Sequence, residues 1–267
     1  MLFRSSSLTK EEYIVANGYT MFPVAFSLQG YKTALSNPDA ILRAYGLTIF
    51  VTAVGTVTSV FINVMTGYCL QKRDFPYRNA FSLYFFFTTL FSGGLVPWYI
   101  LCVKYLGFRN RLYALILPSL VSVWNILLAK GFTRGIPFEI TESARMDGAG
   151  DFRIFLQLIL PLSTPIIATL GLFTALAYWN DWYNCMLFIS DDKLYTLQYF
   201  LYKLQQSLIA WRNLLSRGGG SGVMTIDFPQ ESMKMAMTVV VTGPIIFLYP
   251  FVQKYFIKGL VLGSVKG

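Results

Sequence analysis

The hydrophobic positions of this chain gather into long uninterrupted runs, unlike the three- and four-residue spacing of a helix with one wet face. Ala44–Gln71 contains no charged residue. Asn79–Val103 is also uncharged and includes the aromatic run Tyr84–Phe87. Leu112–Ala129 follows, then a stretch from about Ile154 to Asn180 that carries Pro161 and Pro165, and finally Met235–Val252. A helix needs about 20 predominantly apolar residues to cross about 30 Å of hydrocarbon. Five stretches come close to that length, and a helix pairs its backbone polar groups internally, as lipid requires. The pattern predicts an all-α, polytopic membrane helix bundle spanning 44–255.

Residues 1–43 read differently. Ser5–Asn17 is polar, no apolar run follows a basic start, and Gly18, Pro23 and Pro38 punctuate short elements. They predict an extramembrane lead-in and no signal peptide. Between the runs lie a short basic loop, Lys72–Arg78, a tight turn, Lys104–Arg111, a charged connection, Lys130–Arg153, and a long polar excursion over 181–234. That excursion holds an amphipathic helix near Leu194–Leu215 and the run Gly218–Gly222, a flexible loop with no Lys-Ser/Thr after it.

Composition agrees with a lipid-solvated chain. Of 267 residues 55% are hydrophobic and only 13% charged, against about 25% in soluble domains. The net charge is +9, but the basic residues stand singly between apolar runs, without a nucleic-acid-binding face. Lys72–Arg78, Lys130–Arg153 and the tail 256–267 with its flank fall on one side of five alternating spans. They carry 10 of the 22 Lys and Arg residues, about twice the density of the other side, which predicts that they are cytoplasmic. The chain has no histidine, and Cys69, Cys102 and Cys185 are isolated. Neither a metal centre nor a disulfide framework is expected, and no cofactor and no catalytic residue is assigned.

The connection with the most definite chemistry is Ile136–Pro161. Pro137 suits a helix first turn. Glu139 and Glu142 then share one face near the positive helix end. Ala144 permits close approach, Asp147-Gly148 stops the helix, and a second helix begins, with Asp151 as its cap. The pattern draws a short amphipathic helix within loop 131–156, fit to dock into a groove on a soluble partner. The competing pairing for Glu142 is Arg145, three residues on.

Glu142-Ser143-Ala144, three residues, Gly148, nine residues, then Leu158-Ile159-Leu160-Pro161 resembles the "EAA loop" of binding-protein-dependent ABC importer permeases. Ser143 and Leu158 replace an Ala and an Ile of that pattern. Gly93-Gly94-Leu95-Val96-Pro97, Asn110–Pro118, Trp179-Asn180-Asp181-Trp182 and Lys258–Gly267 are similar to elements of the carbohydrate-type members, the maltose and alginate importers among them. The resemblance implies the MetI-like permease fold in a bacterial cytoplasmic membrane. It also implies coupling to an ATPase through Glu139, Glu142, Ala144, Asp147, Gly148 and Pro161. The partners implied are a second permease subunit in a heterodimer, two ATP-binding subunits, an extracellular solute-binding protein and a carbohydrate substrate. The chain itself lacks a phosphate-binding G-x-x-x-x-G-K-[S/T] loop. That family has six core spans, so the first is expected to be missing here. Asn180, Asp181 and Trp182 are candidates for the substrate path, the alternative being an interfacial anchor. A peptide or amino-acid ABC permease shares the loop pattern. A secondary transporter would need ionisable residues inside the spans.

Overall fold

The computed structural model describes residues 2–216 and 231–244. In chain order the helices are α1 (Leu2–Ser6), α2 (Glu11–Asn17), α3 (Gln29–Ala34), α4 (Pro38–Gln71), α5 (Arg78–Leu90) and α6 (Leu95–Ile100). They continue with α7 (Val123–Thr133), α8 (Phe138–Met146), α9 (Asp151–Ile154), α10 (Leu160–Leu162), α11 (Thr164–Trp179), α12 (Tyr183–Phe188) and α13 (Leu197–Ser216). Helix α14 covers 231–244. Gly218–Gly222, the last part of the fifth predicted span and Lys258–Gly267 lie outside the described residues.

Among the described residues α4 alone is a single helix long and apolar enough to cross a membrane. It begins at Pro38, a turn and more before the uncharged run, with Asp39 in its first turn. The next three predicted spans are not continuous helices. Arg78–Leu90 and Leu95–Tyr105 meet at 114°, Leu112–Ser119 and Val123–Thr133 at 50°, and Asp151–Leu162 and Thr164–Trp179 at 83°. Each break has a local cause. Gly94 turns at φ +85, a conformation that an L side chain resists, and Pro97 has no N–H to return to Gly93. Pro118 sits in a 3-10 turn ahead of the second break. Pro161 and Pro165 flank the third. Pro165 leaves the carbonyl of Pro161 without its helical donor, and the Thr164 hydroxyl donates to it instead at 2.5 Å.

The chain divides into two compact units. One consists of residues up to Thr48, Asp181–Met186 and the described residues from Asp191 onward. Here the lead-in is packed: a Cβ on Gly30 of α3 would lie 2.8 Å from the Ser232 backbone of α14. The Glu11 carboxylate accepts from the N–H groups of Glu231 and Ser232, both at 2.8 Å. It thereby satisfies donors that a helix start leaves open.

The other unit is Ile49–Asn180 with Leu187–Ser190. Its core joins Val60, Val64 and Tyr68 of α4 to Ala129 of α7, Ile154, Phe155 and Ile159 around α9, and Leu170 of α11. Phe155 stacks on Tyr68 at 5.8 Å and meets Phe61 edge-on at 5.7 Å. Close approach depends on two glycines of α4. A Cβ on Gly67 would fall 2.7 Å from that of Ala129, and one on Gly55 2.7 Å from the Tyr178 ring. The break before α7 is held by Asn63 of α4, fully buried. Its Nδ2 donates to the Leu120 carbonyl at 3.2 Å, and its Oδ1 accepts from the Ser122 N–H at 3.1 Å.

Asn63→Leu keeps the volume but strands the part-buried Leu120 carbonyl and Ser122 N–H, at up to about 1–3 kcal/mol for each group. The thermal unfolding midpoint of the detergent-purified protein is expected to fall. An unchanged midpoint would contradict the role given to Asn63.

Candidate functional site

Helix α8 starts at Phe138, with Pro137 at the capping position (φ −55, ψ 133). The proline is therefore one step earlier than the first helical turn expected for it; its extended ψ puts it before the helix. The helix ends in a Schellman motif. Gly148, at φ +78, donates to the Arg145 carbonyl at 2.9 Å, and Ala149 donates to the Ala144 carbonyl at 3.0 Å. The Ala144-to-Gly148 spacing is thus the spacing of this cap: an alanine three places before the capping residue Asp147, and a left-handed residue just after it. Ala144 and Ala149 both pack on the Val64–Phe155 core, the apolar contact that accompanies such a cap. A Cβ on Gly148 would meet nothing within 4 Å. The need for glycine is conformational, about 1–2 kcal/mol for an L residue.

The helix divides its faces cleanly. Thr141 is buried and Ala144 half-buried, whereas Glu139, Glu142, Ser143, Met146 and Asp147 are exposed, Met146 by 88%. These five recur at three- and four-residue steps, so they form one stripe. None of its three carboxylates enters an ion pair among the described residues.

The Glu142–Arg145 pairing does not form. Arg145, half-buried, turns the other way and pairs with Asp74 and, at 3.3 Å, with Asp151. Asp151 also meets Lys72 at 2.5 Å, while the Arg73 guanidinium lies 5.3 Å from the centre of the Phe138 ring. Asp151 is consequently not the cap of the second helix. Gly150 occupies that position, and the carboxylate is drawn to the two cations. The hydrogen bond from Lys72 is the main cause of a pKa held below the ordinary aspartate value, against the opposing effect of burial. The bond to Asp74 is the main cause of a raised pKa at Arg145. Pairs this exposed contribute about 0–1 kcal/mol each, so they orient α8 far more than they stabilise the fold.

Lys72 and Asp74 were not singled out in the sequence, and their partners Asp151 and Arg145 were given other roles there. The available signal was the charge complementarity of two connections predicted on the same side of the membrane. Pro161, exposed, lies in the short α10, and the chain turns at Ser163 (φ −87, ψ 8), just beyond it. It is not among the residues that form the stripe.

The other candidates sit elsewhere. Asn180, exposed, closes α11, with Nδ2 donating to the Leu176 carbonyl at 2.9 Å. Asp181 accepts at one oxygen from the Asn184 N–H (3.0 Å) and at the other from Asn184 Nδ2 (2.6 Å), capping α12. The Trp182 ring stacks on Tyr202, centroids 4.5 Å apart.

No protein-family model matches the chain. Individual relatives do. It is 36% identical over 263 residues to the polygalacturonan/rhamnogalacturonan transport system permease protein YtcP of Bacillus subtilis (strain 168), covering 98% of this chain and 90% of that one. It is 37% identical over 263 residues to protein LplC of the same organism, covering 98% and 87%. Among solved structures, a bacterial ABC transporter involved in the import of the acidic polysaccharide alginate has a chain that superposes with a TM-score of 0.82 at 28% identity, covering 96% of this chain and 89% of its own.

Proposed function

The chain belongs to the family of carbohydrate ABC transporter permeases, and from that premise we propose how it is driven. It is a membrane protein and a subunit of an importer for carbohydrate, so it works with other subunits. In our reading ATP is hydrolysed on separate ATP-binding subunits, two in number. The outward stripe of α8 docks into a groove on one of them. A second permease subunit and an extracellular solute-binding protein complete the assembly in a bacterial cytoplasmic membrane. In our reading the chain crosses the membrane five times, with the loops 72–78 and 131–156 on the cytoplasmic side.

One observation carries this reading: α8 presents Glu139, Glu142, Met146 and Asp147 outward, while its single basic residue is withdrawn into internal ion pairs. The stripe therefore keeps an undiluted negative charge around an apolar methionine. Such a surface fits a partner groove with basic rims and an apolar floor. Charge complementarity selects the partner, and the flexible thioether adapts to the floor. Ala144 and Gly148 set the helix's height and end, and Pro161 with Pro165 sets the angle at which the chain continues.

For the sugar path we propose Asn180 and Asp181 as hydrogen-bonding residues and Trp182 as a stacking surface. The support is their polar and aromatic chemistry and the carbohydrate specificity of the relatives.

Glu142→Lys is expected to reduce copurification of the ATP-binding subunit by tenfold or more, as reversing a charge at a desolvated contact costs about 2–5 kcal/mol. Undiminished copurification would contradict the docking face. For the path, Asn180→Ala is expected to weaken uptake of labelled galacturonate oligomers or neutral oligosaccharides about fivefold, the loss of one hydrogen bond. Unchanged uptake of every sugar tested would place Asn180 outside the path.

A further inference from the structure

We propose that Arg145 is a positioning residue that clamps α8 to the end of α4, so that displacement of α8 is delivered to that unbroken helix. The proposal rests on α8 being the helix that docks on the ATP-binding subunit. It adds the route by which the docking helix acts, through residues that serve no docking role.

Three routes lead out of α8. Backwards along the chain, residues 134–137 join it to α7, at whose far end lies the 50° break. Forwards, the chain runs through the turn at Gly148 into α9, then meets a π-helical turn, Phe155–Ile159, and the 83° break at Ser163. Wide turns and proline breaks are the places where a helix yields, so both covalent paths lead to a compliant point. The third route is a set of side-chain contacts to residues 72–74, immediately after α4. Phe138, in the first turn of α8, lies under Arg73 at 5.3 Å. Arg145, two turns later, grips Asp74. The helix is thus fastened at both ends to one short segment. Asp151 closes the set by meeting Arg145 at 3.3 Å and Lys72 at 2.5 Å.

Between these fastenings Thr141 is buried, and Ala144 packs on a core that includes Val64 and Tyr68 of α4. A body tied at two points and seated on a packed surface moves with what it is tied to. Among the described residues α4 is the one unbroken helix both long and apolar enough to cross a membrane, so the tie ends on an element without a bend. The sorting of charges has a second consequence. Because Asp74 and Asp151 satisfy Arg145, the clamp and the docking stripe do not compete for the same cation.

The test uses the complete transporter in nanodiscs and amide hydrogen exchange, with and without ATP plus vanadate. In the wild type, nucleotide is expected to change exchange both in 138–146 and in 66–75. In Arg145→Gln and in Asp74→Asn the change at 138–146 persists, while the change at 66–75 is lost. The double variant is no worse than either single one, as expected of two residues acting as a pair, and Arg145→Lys restores part of the effect. Asp74 is half-exposed, so its variant keeps the test sound even where Arg145→Gln assembles poorly. Persistence of the 66–75 change in both variants would overturn the proposal. So would loss of the 138–146 change in Arg145→Gln but not in Asp74→Asn, which would make Arg145 a docking residue. Absence of any change at 138–146 in the wild type would instead sink the docking reading, and it is seen before a variant is made.

Discussion

A backbone polar group at apolar depth has to find a partner, and that constraint governs how this chain is built. Three of its apolar stretches are bent, and every bend frees peptide groups that water cannot reach in a membrane. The repairs are specific. Asn63 offers one donor and one acceptor to the two sides of the break before α7. Thr164 supplies the hydroxyl that replaces the amide Pro165 lacks. With these repairs the bends keep their backbone groups paired while remaining the places where the chain yields more readily than along the unbroken α4.

Helix α8 follows from the same economy at smaller scale. Its last turn would leave carbonyls unpaired, and the Schellman motif at Gly148 pairs two of them. The alanine and the glycine of the loop pattern are therefore one structural device, a stop at a defined point. What lies before the stop is exposed on one side and packed on the other. The charges are sorted to match: carboxylates remain outward, and the one cation is engaged inward. Weak surface ion pairs add little stability, but here they determine which charges are left outward on α8.

Much of this was legible in the sequence. Long uncharged runs located the helices, because nothing else in a chain of this composition requires them. The ends of α8 were marked by Pro137 and Gly148, residues whose backbone preferences are strong. The positions of Pro137 and Asp151 were misjudged for related reasons. A proline also fits the extended position before a helix, and an aspartate near a helix start can be claimed by cations that the local sequence does not contain. The bend at the entry of the fourth run was legible from Pro161, and the chain does turn just beyond it; the other two were not placed, although Gly94, Pro97 and Pro118 stand at them, since an apolar run has no polar phase to show where it turns. The ion pairs were hidden by distance along the chain: Arg145 and Asp74 are 71 positions apart. Asn63 lay unremarked in an uncharged run, although a lone amide there is a signal in its own right.

The central claim is that the stripe on α8 faces the cytoplasm, where an ATP-binding subunit can reach it. The most direct measurement is the sidedness of a cysteine at Met146, introduced after Cys69, Cys102 and Cys185 are replaced by serine or alanine. A membrane-impermeant maleimide should label it in inverted vesicles stripped of the ATP-binding subunit and leave it unlabelled in intact cells. Labelling in intact cells would put the helix on the outside and contradict the account.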